Sequence, residues 1–170
     1  MGCSFDYNKM GEKDQLADTI PETILYNITQ VRVRNGTISS KIAADKIETF
    51  KNKNIMYITK LHYTEISRTG ETLTEGWADK ATYYTDTENA EISGNIYFYS
   101  TEEKAGVHAD YLNWDNQAKI LTSRPGEKVT VSRDDGSYVE GFGFRANFKL
   151  KEITFSGNVK GIFIDEEKEE

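Results

Sequence analysis

The chain has 170 residues, a formal net charge of -7 and a sequence pI of about 5.0. Its length is typical of one domain. The acidic balance disfavours nucleic-acid binding, because no cluster of Lys and Arg neutralises a row of phosphates. Mean hydropathy is -0.65 with 37% apolar residues, which favours a thin sheet-built body over a thick globule.

The first residues suggest a lipid anchor. Gly2-Cys3-Ser4 is similar to the end of a bacterial lipoprotein signal, where a small residue precedes a cysteine that is acylated after cleavage. We therefore expect Met1 to stand in for a removed signal segment and Cys3 to carry lipid. A chance cysteine at the terminus is the alternative. Since Cys3 is the only cysteine, a disulfide framework and a thiolate metal site are excluded.

The chain divides into three parts. Residues 1–22 are polar and acidic without periodicity, which predicts a flexible tether. Residues 23–164 alternate between apolar and polar positions, and residues 165–170 form a charged tail that we expect to be disordered. No helical period persists, so the body is predicted to be all-β, with strands at 23–34, 37–50, 55–66, 72–78, 90–99, 107–114, 118–123, 129–132, 138–148 and 152–164. Turn signals separate many of them, notably Asn35-Gly36, Pro125-Gly126 and Asp134-Asp135-Gly136.

The strand from Ala90 to Tyr99 has the clearest pattern. Its apolar residues and a glycine share one predicted face: Ala90, Ile92, Gly94, Ile96 and Phe98. The triplet Ser93-Gly94-Asn95 returns as Ser156-Gly157-Asn158 in the last strand. Because glycine in a strand marks a bulge or a crowded surface, we expect both glycines to have an architectural role.

A longer repeat lies beneath the strands. Ala44-Asp45-Lys46-Ile47, Ala78-Asp79-Lys80-Ala81 and Ala109-Asp110-Tyr111-Leu112 recur at similar intervals, with a degenerate fourth copy near Gly143-Phe144-Arg145-Ala146. Each unit reads as strand, turn and strand. Successive units would add to two facing antiparallel sheets, giving an elongated body with open ends.

The faces of two further strands follow from simple alternation. In residues 55–66 it predicts one face with Ile55, Tyr57, Thr59, Leu61 and Tyr63. In residues 138–148 it predicts one face with Phe142, Phe144, Ala146 and Phe148.

From about Gly36 to Phe163 the chain resembles the LptC family, the periplasmic component of the lipopolysaccharide-transport bridge. The resemblance rests on the following segments in this order: Gly36, Ile42-Ala43-Ala44, Trp77-Ala78-Asp79-Lys80-Ala81, Ser93-Gly94-Asn95-Ile96, His108-Ala109-Asp110-Tyr111-Leu112, Asp135-Gly136-Ser137 and Gly141-Phe142-Gly143-Phe144. Most family members have an N-terminal transmembrane helix, for which a lipidated Cys3 would substitute here.

The resemblance implies an elongated, twisted β-jellyroll whose two sheets form an apolar trough for the acyl chains of lipid A. It also implies a periplasmic protein, anchored to the inner membrane, that takes lipopolysaccharide from the permease subunits of an inner-membrane ABC transporter. An LptA-like bridge protein would then receive the lipid after pairing with a terminal strand. A homodimer is left open, and no enzymatic activity or cofactor is expected.

The predicted lipid contacts are inward members of the alternating strands: Ile42, Tyr57, Ile92, Ile96, Phe98, Leu112, Phe144, Phe148 and Phe155. Ordinary packing in a hydrophobic core is the alternative explanation for each of these residues. Basic residues that would meet phosphates at the rim of the trough, or simply lie on solvated strand faces, are Lys41, Lys46, Lys60, Lys80, Arg124, Lys128, Arg133 and Arg145.

Catalytic and metal-binding motifs are weak. His62 and His108, the only histidines, have no second ligand residue at metal spacing, which disfavours a metal site or a catalytic base. Asp134-Asp135-Gly136 is explained as a hairpin turn, because the other ligands of a calcium loop are missing. Phosphate-loop and nucleophile motifs are absent from the sequence.

Two other functions compete with lipid transfer. One is a surface or periplasmic lipoprotein that serves as a non-catalytic adhesion or scaffold module. The other is a carbohydrate-active enzyme, which would need two close carboxylates in an aromatic cleft. A continuous apolar groove that opens at one end would favour transfer, whereas a filled interior would favour the scaffold.

Overall fold

The computed structural model describes residues 19–164, which form one ten-stranded antiparallel sheet. The strands are β1 (Thr23–Arg34), β2 (Thr37–Phe50), β3 (Ile55–Ile66), β4 (Thr72–Tyr84), β5 (Ala90–Ser100), β6 (Ala105–Asp115), β7 (Ile120–Thr122), β8 (Lys128–Arg133), β9 (Tyr138–Asn147) and β10 (Glu152–Ile162). A short 3₁₀ turn at Lys51–Lys53 is the single helical element of the described residues. The predicted succession of strands is confirmed, although β4 extends further than its pattern indicated.

Neighbouring strands in sequence are neighbours in the sheet from β1 to β6. β7 and β8 both lie between β6 and β9, but they pair with different stretches of these strands. They therefore share one strand position, which the loop containing Pro125-Gly126 interrupts. β1 and β10 are the two edges of the sheet.

The long strands bend near their midpoints along one line, which we call the crease. Residues with left-handed backbone mark it: Asn27 in β1, Lys60 in β3, Gly94 and Asn95 in β5, and Gly143 in β9. The register shifts at Gly94 and Asn95, between Ser93 and Ile96 on β5. Such irregularities bend strands and increase their twist.

The crease divides the sheet into two layers. The first layer contains residues 23–26, 46–50, 55–59, 80–84, 90–93, 111–115, 120–122, 144–147 and 152–155. The second contains residues 28–34, 37–44, 61–66, 72–78, 96–100, 105–109, 128–133, 138–142 and 157–162. Buried side chains from both layers form one apolar core, so the layers face each other across it. The predicted β-jellyroll is confirmed.

The alanine repeat of the sequence marks where β2, β4 and β6 cross the crease. Ala44, Ala78 and Ala109 are all buried. In each strand the next inner residue follows after three positions instead of two: Ile47, Ala81 and Leu112. The motif therefore lies in the middle of a strand and does not open a structural unit. Its small side chain fits the angle between the layers.

The inner faces consist of residues paired across successive strands. In the first layer this inner row is Leu25, Ile47, Ile58, Ala81, Ile92 and Leu112. In the second layer it is Ile42, Tyr63, Gly76, Phe98, Val107, Val131 and Val139. Gly76 lies beneath the Phe98 ring, where a Cβ atom would overlap the ring carbons.

Two of the predicted faces were wrong beyond the crease. Lys60 has a φ of 55°, and this left-handed residue shifts the alternation of β3 by one, so Ile58 and Leu61 point inward while Tyr57 is 43% exposed. Gly143 shifts β9 in the same way, which places Gly141 and Phe144 inside. Phe148 lies after the end of β9 and is 59% exposed.

Candidate functional site

The candidate site is the slot, defined as the space between the inner rows of the two layers. Most predicted lipid contacts lie on it. Ile92, Ile96, Leu112 and Phe144 are in the buried core, and Ile42, Phe98 and Phe155 are partly buried against that core. Tyr57 and Phe148 do not join this cluster.

The centre of the slot is filled, contrary to the expectation of an open trough. Leu112 and Val129 are 0% exposed, and Phe144 is 1% exposed. Two open surface cavities of the described residues are lined mainly by outward-facing side chains such as Tyr97, His108, Lys128 and Glu140. Opposing inner side chains therefore occupy the volume that acyl chains would need.

Exposed apolar surface is concentrated at the two edges of the sheet. On and around β1 the exposed apolar residues are Ile20, Ile24, Leu25, Tyr26, Val31 and Val33. On and after β10 they are Ile153, Val159, Ile162, Phe163 and Ile164. Exposed apolar residues that gather at two strand edges are candidates for binding or assembly surfaces.

The edge strands also offer unpaired backbone groups. β1 pairs only with β2, and β10 pairs only with β9. Each edge has an irregularity, between Arg32 and Val33 on β1 and between Gly157 and Lys160 on β10. Bulges limit indiscriminate pairing of edges, so each edge presents only short regular stretches to another strand.

Polar contacts join the ends of the two layers. At the end near β1, the guanidinium of Arg32 in the second layer contacts Tyr83 and Glu88, which belong to the end of β4 and the turn after it. On the opposite side, Lys151 Nζ lies 3.7 Å from Glu102 Oε1. These contacts depend on how the layers cross, so no local sequence pattern predicts them.

The outer face of the second layer has a row of stacked rings. His62 stacks on Trp77 with ring centroids 5.1 Å apart, Trp77 stacks on Tyr97 at 5.7 Å, and Tyr97 packs on His108 at 4.4 Å. His62 Nε2 also lies 2.8 Å from Glu75 Oε1. Both histidines thus take part in cross-strand packing.

Asp79 stabilises the crease from the outside. Lys60 Nζ and Asn95 Nδ2 each donate a hydrogen bond of 2.6 Å to its carboxylate. These bonds, from Lys60 first and then Asn95, lower the pKa of Asp79 below its ordinary value. The left-handed residues of β3 and β5 are therefore tied to the strand between them.

Glu140, on β9, forms ion pairs that join the edge strand β10 to the rest of the sheet. Its Oε1 atom lies 2.8 Å from Lys160 Nζ, and its Oε2 atom lies 3.1 Å from Lys128 Nζ. Hydrogen bonds from Lys160 and then Lys128 hold the pKa of Glu140 below its ordinary value. The contribution to stability is therefore present above the unfolded-state pKa of about 4.3 and is lost as the pH falls through the folded-state pKa.

We expect Glu140→Gln to lower stability at neutral pH and to flatten the acid side of the stability profile. Urea denaturation between neutral pH and pH 3 measures both effects. Glu103→Gln is the control, because Glu103 is an exposed turn residue without a side-chain ion pair in the described part of the chain. An acid profile of Glu140→Gln as steep as that of the unmodified protein would contradict this role.

Within 19–164, His, Cys, Asp and Glu side chains form no group of three in metal-binding geometry. The same residues include no helix that is long and apolar enough to cross a bilayer. Cys3, most of the predicted tether and the tail at 165–170 lie outside the described range. Glu22, at the end of the predicted tether, donates its N–H to the Thr49 carbonyl at 2.9 Å.

The fold and the slot define an open-edged β-jellyroll with an apolar interior. The family model described as "Lipopolysaccharide-assembly, LptC-related" matches residues 3–165, and the chain belongs to the LptC family. Its role is in lipopolysaccharide transport and outer-membrane biogenesis, in a family that is periplasmic and associated with the inner membrane. Comparison with curated proteins gives no match.

Proposed function

We propose that the protein takes lipopolysaccharide from the permease subunits of an inner-membrane ABC transporter and passes it to an LptA-like bridge protein. The acyl chains would lie on the inner rows of the slot. The observation that carries this proposal is the continuous apolar inner face, which runs between two free edges of one bent sheet. Acyl chains need an apolar lining without competing polar groups.

Because the centre is filled, entry of lipid requires the layers to move apart. The crease supplies the place for this motion, since its left-handed residues already interrupt the regular pairing of several strands. Acyl chains then replace the contacts that the opposing side chains make with each other. The transporter would supply the driving energy, and the protein itself would perform no chemistry.

The free edges suit strand addition, in which a neighbouring chain extends the sheet through backbone hydrogen bonds. We propose that one edge meets the transporter side and the other meets the bridge protein. Anchoring through a lipidated Cys3 is part of the same proposal and would keep the jellyroll next to the inner membrane.

Photo-crosslinking to lipopolysaccharide tests the transfer proposal. With p-benzoylphenylalanine in place of Phe98, on the inner row, we expect a crosslinked product. Tyr57 is the matched control, because it is an aromatic residue on the other face of the sheet, packed edge-on against Phe50 at 5.5 Å. No labelling at position 98, or equal labelling at position 57, would overturn the proposal.

The filled centre favours one other function, a scaffold module that holds neighbouring chains by its edges without carrying lipid. The same experiment separates the two. A scaffold would capture its protein neighbours but would give no lipid product from position 98.

A further inference from the structure

Arg32 makes side-chain contacts across the slot. It lies on β1 in the second layer, and its partner in the sheet register is Ser40. Its Nη2 atom nevertheless donates a hydrogen bond of 3.3 Å to the hydroxyl of Tyr83, in the first layer. Its Nη1 atom lies 3.6 Å from Glu88 Oε1, in the turn after β4. These contacts connect the two layers at one end of the slot, and separation of the layers there must break them.

A second cation lies near the same end. Burial raises the pKa of the Tyr63 hydroxyl to about 12, with Glu65 adding to the rise, whereas Arg32 and Arg34 oppose it. Charges of both signs thus act on this inner-row tyrosine, and Arg32 is the cation whose contacts with the first layer are resolved.

The contact between Arg32 and Glu88 is easily exchanged. The two side chains are 47% and 42% exposed, and exposed pairs of this kind are weak. A guanidinium has five donors in a planar fork, and it binds a phosphate through two parallel charge-assisted hydrogen bonds. A phosphate group can thus compete with a single carboxylate oxygen at 3.6 Å.

We propose that Arg32 anchors the phosphorylated headgroup of the transported lipid. In this exchange a phosphate takes the guanidinium from Glu88 and Tyr83, and the two contacts that join the layers open as the acyl chains enter the slot. Arg32 thereby selects phosphorylated amphiphiles and couples their binding to opening. This inference rests on the transfer function proposed above, because it assumes that acyl chains occupy the slot.

The test compares two lipids with the same acyl chains, bisphosphorylated lipid A and monophosphoryl lipid A. We expect the unmodified protein to bind the bisphosphorylated lipid about tenfold more tightly, as a lost charge-assisted phosphate contact implies. Arg32→Gln should reduce its affinity by about the same factor and remove the preference. Glu88→Gln should strengthen binding, because the competing carboxylate is gone. Arg68→Gln is the charge-matched control, since Arg68 is exposed in the loop after β3.

Opening is measured separately by spin labels in a chain with Cys3→Ser. One label is at Lys41, exposed on the second layer, and the other is at Thr85, exposed in the turn that follows the first-layer end of β4. Bisphosphorylated lipid A should lengthen the distance between the labels, and Arg32→Gln alone should broaden its distribution. If neither lipid binds the unmodified protein, the transfer function fails and this inference fails with it. If both lipids bind equally and Arg32→Gln changes nothing, the headgroup role is wrong while lipid transfer stands.

Discussion

Phe144→Ala is expected to lower the free energy of unfolding by about 3–5 kcal/mol, the range for removal of a buried aromatic ring. Phe144 is 1% exposed and packs against Phe155 with ring centroids 5.6 Å apart. Its N–H donates a 3.1 Å hydrogen bond to Ser123 Oγ, which holds the loop that follows β7. The truncated side chain would leave a cavity at the place where β9 crosses from one layer to the other.

Phe148→Ala is the matched control for this change. Phe148 follows in the same segment, but it is 59% exposed and touches Trp114 edge-on at 5.5 Å. We expect its removal to cost less than about 1 kcal/mol. Urea denaturation of both variants measures the difference in the free energy of unfolding. The dependence of that free energy on urea concentration should be the same for both. Similar small losses in both variants would mean that the slot is loosely packed at Phe144, contrary to its filled centre.

Local sequence features were sufficient to predict the strands. Alternation and turn residues such as Asn35-Gly36 act over a few positions, and the first strand was predicted with its observed bounds. The family resemblance added the pairing of these strands into a jellyroll, which alternation alone cannot supply.

The faces of the strands could be predicted only up to the crease. One left-handed residue exchanges the inner and outer faces of all the strand residues on its far side. In β3, Lys60 is that residue, and Tyr57 therefore lies on the outer face. A lysine does not predict a left-handed conformation, whereas Asn27 and Asn95 belong to a residue type that tolerates it. The useful signal was the spacing of three between Ala44 and Ile47, which a regular strand with one buried face does not show.

The Arg32 contact could not be predicted from sequence. Arg32 and Tyr83 are separated by 51 positions and lie on different layers. Their approach depends on the angle at which the layers cross, and that angle is set by the bends of several strands together. The rim cations chosen from sequence were therefore residues on strand faces, and Arg32 was not among them.

Gly94→Ala is expected to destabilise the protein by about 1–3 kcal/mol through backbone strain alone, because its φ is 77°. A Cβ atom would also lie 2.7 Å from Asp79 Oδ2. Moving Asp79 away would disturb its 2.6 Å hydrogen bonds with Lys60 and Asn95, which tie β3 and β5 at the crease. The loss should therefore reach or exceed the upper part of this range, measured by urea denaturation.

Gly157→Ala tests whether the repeated Ser-Gly-Asn triplet has the same role in both places. Gly157 also lies at a register shift, but its φ is outside the left-handed region and an added Cβ would meet Phe142 Cβ at an ordinary 3.6 Å. Alanine there should be neutral, or stabilising by about 0.4–1 kcal/mol because the unfolded chain loses freedom. Equal destabilisation by the two substitutions would mean that the triplet itself matters. The expected contrast would instead assign the effect to the left-handed bend that carries β5 across the crease.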